Sequence, residues 1–355
     1  MKFLLSLLLS VLIQNAIADD GAEQALVNDI NAILKQPQFS TIAGIVYVAI
    51  DDQVVVNQGL GFADVEKKIP FKATTMTTVG SITKQFTGAA ISKLDMQGKL
   101  TTEDKISQHL PGLKGAISEV TLHELLTHTA GITEETGRDD APMTKQGLIE
   151  HLNKRQLAFT RGEHHYSNLG YSLLGMVVEG VSGKPLDVYL AENFFDAIGM
   201  KNTGYTHPNY KDTDTARGYF DGEDWGYLQH KNWQASGPYW NLRANGGMLS
   251  TAQDMHLWMR ALMSGGYLSA VQQKRLFGMH AKECENCLGY YGYGWVIEPL
   301  DGNKTMIWHN GGNGIFSADV RDYPASKIFY FVAGNRSDGE VYDLSDALHN
   351  VLSKP

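Results

Sequence analysis

Ser81 and Lys84 are spaced so that a nucleophile and a base could meet on one side of a helix. Positions i and i+3 share a helix face, so the lysine nitrogen can reach the serine oxygen. A serine hydroxyl is a weak nucleophile until a base takes its proton, and a desolvated lysine is able to do so. The N–H of a residue at a helix start has no intrahelical partner and could bind an oxyanion. The pair is therefore a candidate for acyl-transfer chemistry. The alternative interpretation is a helix cap followed by a solvated lysine, which has the same spacing.

The helix that carries this pair is predicted over residues 81–97, with Gly98 as its stop. Its apolar side chains cover a broad face, and alanine and glycine are frequent among them: Ile82, Phe86, Gly88, Ala89, Ala90, Ile91 and Leu94. That composition is typical of a helix buried in the middle of a domain. A lysine on such a helix needs a functional or structural partner.

Two further segments could supply partners for Ser81 and Lys84. Tyr166 and Asn168 stand on the irregular entry to a helix predicted over residues 169–181, where side chains can project into a cleft. An interface tyrosine and a helix cap are the alternative interpretations of these two residues. The run His309-Asn310-Gly311-Gly312 lies between two predicted strands, and its glycines would let a ligand approach the backbone closely.

Histidines offer additional candidates. His128 follows a short helix predicted over residues 120–127 and could be catalytic, but a histidine before a glycine turn more often satisfies local carbonyl groups. The adjacent His164 and His165 cannot easily face one metal ion, and we interpret them as loop residues.

Only two cysteines occur, Cys284 and Cys287, separated by two residues. In an oxidising compartment this spacing favours a local disulfide that pins a loop. Free thiols and a metal site that includes His280 are the alternatives. A structural zinc site usually has four ligands, and a fourth is not evident here. No metal site is predicted.

Composition bounds the class of protein. The chain has 355 residues, a net charge of −9 and 43% hydrophobic residues, which is typical of a globular protein with one large domain or two small ones. No basic stripe could neutralise phosphates, so nucleic acid is excluded as the expected partner. A small-molecule or peptide-like substrate is the expected partner, and no pattern bears on the oligomeric state.

The N-terminal segment resembles an export signal. Lys2 precedes the apolar run Phe3 to Ile13, and Ala16-Ile17-Ala18 forms a small-residue cleavage site. The run is shorter than the ~20 residues that span a bilayer. We therefore expect residues 1–18 to be removed after Ala18, a contact with the membrane only through export, and a periplasmic or secreted protein.

The remaining elements suggest a mixed architecture. A helix is predicted over residues 22–34 and a hairpin over residues 41–50 and 53–62. The chain from 100 to about 245 is mostly helices and loops, and the C-terminal part alternates strands (293–298, 305–308, 314–322, 328–334) before a closing helix (341–352). Neither set of strands closes a core alone, so we predict one antiparallel sheet made from both ends of the chain. The terminal helices would cover one face, and a helical lobe would be inserted, giving an α/β (α+β) fold.

With Ser81–Lys84, Tyr166–Asn168 and His309–Gly311 in this order, the chain resembles the penicillin-recognising serine hydrolases. This family includes class C β-lactamases, D-alanyl-D-alanine carboxypeptidases and related esterases of the family VIII type. The similarity covers nearly all of residues 19–355 and implies one domain with a β-lactamase/transpeptidase-like fold. Three ordered motifs with matching surroundings are far more specific than one.

The resemblance implies a role for each motif. Ser81 would attack a carbonyl and become acylated, while Lys84 and Tyr166 would share the acid and base work, in an order that stays open. Asn168 would hold Lys84 and the acyl-side amide of the substrate. The N–H groups of Ser81 and Gly312 would form the oxyanion hole. No metal or organic cofactor is implied.

The third motif departs from the family pattern. Dedicated β-lactamases usually have Lys-Thr-Gly, whereas this chain has His309-Asn310-Gly311. A histidine carries a charge only part of the time near neutral pH, and asparagine lacks the threonine hydroxyl. This favours an esterase or peptidase over a strong β-lactamase. No separate carboxylate is recognisable as a base for deacylation, so Tyr166 is the candidate.

The leading hypothesis is an exported serine hydrolase that forms an acyl-enzyme on Ser81 and cleaves an ester or amide of a small or peptide-like substrate. A D-alanyl-D-alanine carboxypeptidase, a D-aminopeptidase or a weak class C-like β-lactamase is the alternative within enzymes. A catalytically silent homologue that binds ligands is the alternative outside them.

Overall fold

The computed structural model describes residues 21, 23–133, 137–206, 211–231, 233–234, 236–336 and 339–353. The predicted signal peptide, residues 1–18, lies outside the described residues. Across the part of the chain that is described, no helix has both the length and the apolar character needed to cross a bilayer.

An eight-stranded antiparallel sheet joins the two ends of the chain. Its strands are β1 (Gly44–Ile50), β2 (Gln53–Leu60), β9 (Ala281–Lys282), β10 (Tyr290–Tyr291), β11 (Val296–Leu300), β12 (Lys304–Gly312), β13 (Ser317–Tyr323) and β14 (Ile328–Gly334). Their order across the sheet is β2-β1-β14-β13-β12-β11-β10-β9. N-terminal β1 pairs with C-terminal β14 from Gly44↔Gly334 to Ile50↔Ile328. The predicted fold class is thereby confirmed.

The two terminal helices cover one face of this sheet. They are α1 (residues 23–34) and α10 (Glu340–Leu352). Ile30 of the first and Leu344 of the second belong to one apolar cluster with Tyr330 and Val332 of β14. Every residue of β14 is buried, because helices cover both faces of this central strand. This explains why its sequence is a continuous apolar run rather than an alternating one.

The opposite face carries the helix that was predicted around Ser81. This helix, α2 (Thr83–Met96), packs there with α8 (Ala252–Met263), and the ring centroids of Phe86 and Trp258 lie 4.9 Å apart. Ten consecutive residues of α2, from 83 to 92, are buried, as the composition of the helix predicts. A lysine on this helix is therefore withdrawn from solvent.

The middle of the chain is mainly helices and loops. It contains α3 (Leu122–Leu126), α4 (Lys145–Leu152), α5 (Asn168–Ser182), α6 (Leu186–Leu190), a π-helical turn (Ala191–Phe195) and α7 (Asp196–Ile198), and α9 (Ala270–Leu276) follows later. Short two-stranded ribbons accompany them: β3 (Phe62–Asp64) with β4 (Ile69–Pro70), β5 (Thr77–Thr78) with β8 (Leu249–Ser250), and β6 (Gly218–Phe220) with β7 (Glu223–Gly226). The β5–β8 ribbon connects this region to the segment that leads into Ser81.

Several predicted boundaries were wrong, and three of them lie in segments near Ser81. The helix does not begin as an α-helix at Ser81, because Gly80–Ile82 form a 3₁₀ turn in which the Ile82 N–H donates to the Val79 carbonyl at 3.1 Å. The segment 309–312 is not a connection between strands, because it continues β12 and pairs with β13 up to Gly312↔Ser317. The predicted strand 293–298 begins only at Val296, after a turn at Gly294 whose φ is +85°.

Candidate active site

Ser81 stands at the junction of the sheet and the helical region. It lies in the 3₁₀ turn that follows β5, and the Val79 N–H, two residues before it, donates to the Met248 carbonyl at 3.0 Å. Gly80 has a φ of +52°, a left-handed conformation that glycine adopts without steric cost. The turn leaves Ser81 partly exposed while its neighbours Gly80 and Ile82 are buried. A substrate could therefore reach the hydroxyl.

Lys84 is fully buried, and the contacts of its Nζ include the following oxygen atoms. These are Ser81 Oγ at 3.1 Å, Asn168 Oδ1 at 2.7 Å and the Asn245 carbonyl at 2.8 Å. A buried ammonium is costly unless its protons are accepted, and these oxygens accept them. Sequence spacing indicated the first contact, and the other two come from distant segments.

The same geometry suits a neutral amine that acts as a base. A neutral lysine has two N–H bonds and one lone pair, and Asn168 Oδ1 and the Asn245 carbonyl can only accept protons. If a neutral lysine directs both N–H groups to these acceptors, its lone pair is left for the Ser81 hydroxyl, which would then donate the hydrogen bond that the ammonium form donates. Removal of the hydroxyl proton is the activation that a serine nucleophile requires.

Tyr166 and Asn168 flank the residue that begins α5. Ser167 is the N-cap, since its hydroxyl accepts a hydrogen bond from the Gly170 N–H at 3.1 Å. The interpretation of Asn168 as a helix cap is therefore wrong, and its amide oxygen is directed to Lys84 instead. The Tyr166 ring centroid lies 4.8 Å from Lys84 Nζ, and Tyr166 and Ser81 line the same cavity.

His128 holds the segment that carries these residues. Its Nδ1 accepts a hydrogen bond from the Ser167 N–H at 3.0 Å, and its carbonyl accepts one from the His165 N–H at 2.8 Å. The imidazole ring also packs 4.3 Å from the Tyr166 ring. Burial, with a contribution from the Lys84 charge, holds the pKa of His128 well below its usual range. The expectation that this ring satisfies carbonyl groups was wrong, because it accepts a backbone N–H.

Strand β12 brings backbone N–H groups to the nucleophile. Its partner β11 pairs with it only as far as Trp308, so the next residues present one edge to the Ser81 turn. A Cβ on Gly311 would lie 2.1 Å from the Val79 carbonyl oxygen and 2.6 Å from the Ser81 nitrogen, so only glycine fits there. Ser81 and Gly312 border the same cavity, as an oxyanion hole built from their N–H groups requires.

His309 is a neutral side chain in this structure. Its Nδ1–H donates to the Asn310 carbonyl at 2.5 Å, and its Nε2 lies 2.9 Å from the hydroxyl of Tyr291. Burial and then the Lys84 charge lower the pKa of His309 to about 3. The sequence suggested a histidine that is charged part of the time, whereas the buried ring carries no charge near neutral pH.

Cavities extend from Ser81 in two directions. One has a volume of about 270 Å³ and is lined by Ser81, Tyr166, Glu283, Tyr291, Val296, Trp308, His309, Asn310, Gly311, Gly312 and Tyr342. On the other side lies a small cavity of about 50 Å³ next to Asn168 and Asn245. It adjoins an open groove of about 310 Å³, and both are lined by Asp139, Leu228, Leu242 and Asn313. Trp225 and Trp233 from the aromatic segment after residue 218 line that groove. The nucleophile therefore lies between two substrate-sized spaces.

Cys284 and Cys287 are joined by a disulfide, next to the first cavity. Their bond closes the turn that follows Glu283, a residue that lines this cavity. The adjacent histidines are loop residues, with His164 Nδ1 donating to the Glu283 carbonyl at 3.1 Å and His165 stacked on Phe159. Within the described part of the chain, no group of three histidine, cysteine or acidic residues is arranged to hold a metal ion.

Several residues of the site were not found from the sequence. The Asn245 carbonyl is a backbone group, so its residue type carries no signal. Tyr291 and Glu283 lie on short strands and turns without a recognisable motif. Tyr342, whose hydroxyl donates to the Gly311 carbonyl at 3.0 Å, comes from the closing helix and looks like any interface tyrosine. Only their positions in the fold identify them.

Comparisons with known proteins agree with this geometry. The sequence profile of the family described as Beta-lactamase matches residues 30–353. Protein flp of Staphylococcus aureus strain MW2 is 27% identical over 325 residues, which cover 86% of this chain and 62% of that protein. The chain thus spans less than two thirds of the length of the curated relatives it first matches.

Solved structures show the same fold. A penicillin-binding protein from Bacillus halodurans has a TM-score of 0.74 at 28% identity, over 91% of this chain and 98% of that one. A class C beta-lactamase from Rhodobacter sphaeroides has a TM-score of 0.78 at 19% identity, over 92% and 100% of the two chains. At such identity the second similarity concerns the fold alone.

Proposed function

Because this chain belongs to the Beta-lactamase family, we propose that it is a serine hydrolase that acylates Ser81 and cleaves an ester or amide of a small or peptide-like substrate. The observation that carries the proposal is the contact of 3.1 Å between the buried Lys84 Nζ and Ser81 Oγ. A structural lysine would be stabilised by the Asn168 and Asn245 oxygens alone, without the partly exposed hydroxyl.

The groups around Ser81 suggest how acylation would proceed. The Ser81 oxygen attacks the substrate carbonyl while its proton passes to the group formed by Lys84 and Tyr166. The carbonyl oxygen becomes an oxyanion that accepts hydrogen bonds from the N–H groups of Ser81 and Gly312. As the tetrahedral intermediate collapses, the same proton is delivered to the leaving alcohol or amine, and the acyl group stays on Ser81. Tyr166, at the edge of the 270 Å³ cavity, is the donor in this step.

Deacylation reverses these roles. Water enters the space that the leaving group has vacated, gives a proton to Tyr166 or Lys84 and attacks the ester carbonyl on Ser81. The carboxylic acid product leaves and the serine hydroxyl is regenerated. No metal ion or organic cofactor takes part in either half of the proposed reaction.

The site favours an esterase or amidase over a carboxypeptidase or β-lactamase. Substrates of the latter two carry a carboxylate on the side of the leaving group, and a fixed positive charge would bind it. The buried His309 is neutral, and the described residues that line this cavity include no lysine or arginine. Binding of a carboxylate there would require its desolvation without a counter-charge.

Active-site labelling tests the proposal. A fluorophosphonate should label the wild-type protein and the Ser81→Ala variant should not react, whereas the Ser326→Ala variant, altered at an exposed serine, should react like wild type. Hydrolysis of p-nitrophenyl esters, D- and L-amino acid amides and nitrocefin then ranks the substrates. A wild-type protein that neither reacts with the probe nor hydrolyses any of these would be a silent binding homologue, and the proposal would fail.

We also propose that the protein is exported to a periplasm or secreted. The N-terminal signal pattern supports this, as does the disulfide between Cys284 and Cys287, because such bonds persist in oxidising compartments. Fractionation of cells that express the whole chain, with mass determination of the N-terminus, is the test. Recovery from the cytoplasm with residues 1–18 still attached would contradict the proposal.

A further inference from the structure

An acidic side chain lines the 270 Å³ cavity next to Ser81. Glu283 lines it, and none of the other described lining residues is a lysine or an arginine. The imidazole of His309, which also lines the cavity, is neutral because burial lowers its pKa to about 3. Once Glu283 is ionised, the charge that it adds to this side of the nucleophile is negative.

Glu283 is held firmly in this position. Its N–H donates to the Gly289 carbonyl at 3.2 Å, its own carbonyl accepts from His164, and the next residue belongs to the disulfide Cys284–Cys287. A Cβ at position 289 would lie 2.4 Å from Glu283 Oε2, so the carboxylate occupies the space above the glycine. The backbone is fixed on both sides of the carboxylate before any ligand arrives.

This carboxylate has no counter-charge within the described part of the chain. Lys282, the nearest base in sequence, donates to the Glu285 carbonyl at 2.7 Å. Burial raises the pKa of Glu283, and the charge of Glu298 raises it further. A partly buried carboxylate without a partner is destabilised, so a cation that enters the cavity would gain both the ion pair and the relief of that cost. The aromatic residues Tyr291, Trp308 and Tyr342 line the same space.

The cavity corresponds to the leaving group rather than the acyl group. Tyr166, the proposed proton donor to the leaving group, lines this cavity, whereas Asn168, the proposed partner of the acyl-side amide, lines the cavity on the other side of Ser81. We propose that Glu283 selects substrates whose departing alcohol or amine carries an ammonium group. The inference rests on the proposed function, to which it adds the class of substrate. In such a reaction the ester or amide bond breaks, the cationic alcohol or amine leaves with a proton, and water supplies the hydroxyl group of the acid.

Three acetate esters with matched leaving groups test this inference. They are the esters of choline, of 3,3-dimethylbutanol and of 3-hydroxypropanoate, whose leaving groups are cationic, neutral and anionic. The measured quantity is the ratio of kcat/KM between the choline ester and the dimethylbutyl ester, because intrinsic reactivity cancels when one ratio is compared between variants. Wild type should prefer the choline ester and disfavour the anionic one.

Glu283→Gln should lower this ratio about tenfold. An effect of this size lies between the loss of an exposed ion pair and the loss of a buried one. Glu283→Lys should reverse the order of the cationic and anionic esters. Glu285→Gln removes the same charge from the exposed disulfide turn, outside the cavity lining, and should keep the wild-type ratio.

The results that would contradict the inference can be told apart. If the esters are hydrolysed but Glu283→Gln leaves the ratio unchanged, the inference is wrong and the proposed function stands. If Glu283→Gln slows the choline and dimethylbutyl esters by one common factor, the carboxylate is a catalytic base and not a recognition group. If wild type hydrolyses none of the esters and does not react with a fluorophosphonate, the proposed function fails and the inference fails with it.

Discussion

The hydroxyl of Tyr291 lies 2.9 Å from Nε2 of His309, whose proton is on Nδ1 because the Asn310 carbonyl beside Nδ1 can only accept. The third motif of the site therefore presents a neutral dipole where dedicated β-lactamases usually have a lysine. This pair also links β10 to β12 and so joins the strand that carries the N–H of Gly312 to the wall of the adjacent cavity. The departure from the family pattern therefore involves the packing around His309, and not only the exchange of one side chain for another.

Acid should destabilise the protein through its buried imidazoles. The pKa of His309 is lowered to about 3 in the folded state, whereas an unfolded histidine titrates near pH 6.5. Between these values the unfolded chain binds more protons, so the free energy of unfolding falls as the pH drops from about 6.5 towards 3. The loss is at most about 1.4 kcal/mol per pH unit for each such histidine. Urea unfolding of wild type and His309→Gln at several pH values measures it.

The His309→Gln variant should show a shallower loss of stability between pH 6.5 and 4 than wild type. His230→Gln, which alters an exposed histidine, should follow the wild-type slope. Identical slopes for wild type and His309→Gln would mean that folding does not lower the pKa of His309.

Tyr166→Phe should lower kcat by about a hundredfold or more and change KM by less than about threefold, because the phenol transfers protons and adds little to ground-state binding. Steady-state kinetics on the best p-nitrophenyl ester provide the measurement. Tyr290→Phe removes a phenol from the neighbouring strand, outside the lining of the cavity, and is the control. An increase in KM at constant kcat would assign Tyr166 to binding instead.

Gly311→Ala should reduce kcat/KM by about a hundredfold or more, the cost typical of losing an oxyanion donor. The added methyl group would lie 2.1 Å from the Val79 carbonyl oxygen and 2.6 Å from the Ser81 nitrogen, so β12 and the Ser81 turn must separate. A matched change, Gly266→Ala, meets no atom closer than 3.5 Å and should have little effect. Full activity of Gly311→Ala would exclude the proposed oxyanion hole.

His128→Leu should destabilise the protein by about 1–3 kcal/mol, because it leaves the buried Ser167 N–H without an acceptor. We expect kcat to fall as well, since this bond holds the segment that carries Tyr166 and Asn168. His128→Asn should lose less, because asparagine tolerates the φ of +60° at this position and offers an acceptor oxygen. Denaturant unfolding and kcat should be measured together. Equal losses for the two variants would mean that the hydrogen bond to Ser167 has no positioning role.

Much of the fold follows from local patterns. The length and apolar character of residues 328–334 predict a strand, and the structure has β14 there. The pairing of β1 with β14 confirms the predicted pairing of N- and C-terminal strands. It could be predicted because neither set of strands could bury its apolar side chains alone. The boundaries near Ser81 and at residues 309–312 were predicted less well. A 3₁₀ turn and a strand that pairs on one edge only are products of the contact between these two segments.

The sequence by itself determined the family, the mixed fold and the pairing of Ser81 with Lys84, because helix geometry fixes the relation between residues three positions apart. Only the tertiary structure decided that the lysine is held by the carbonyl of Asn245, that His309 is neutral, and that Glu283 lines the cavity next to the nucleophile. The physical reason is the same in each case. Burial, charge and distance at this site depend on segments more than fifty residues apart in the chain, and no local pattern records which of them will meet.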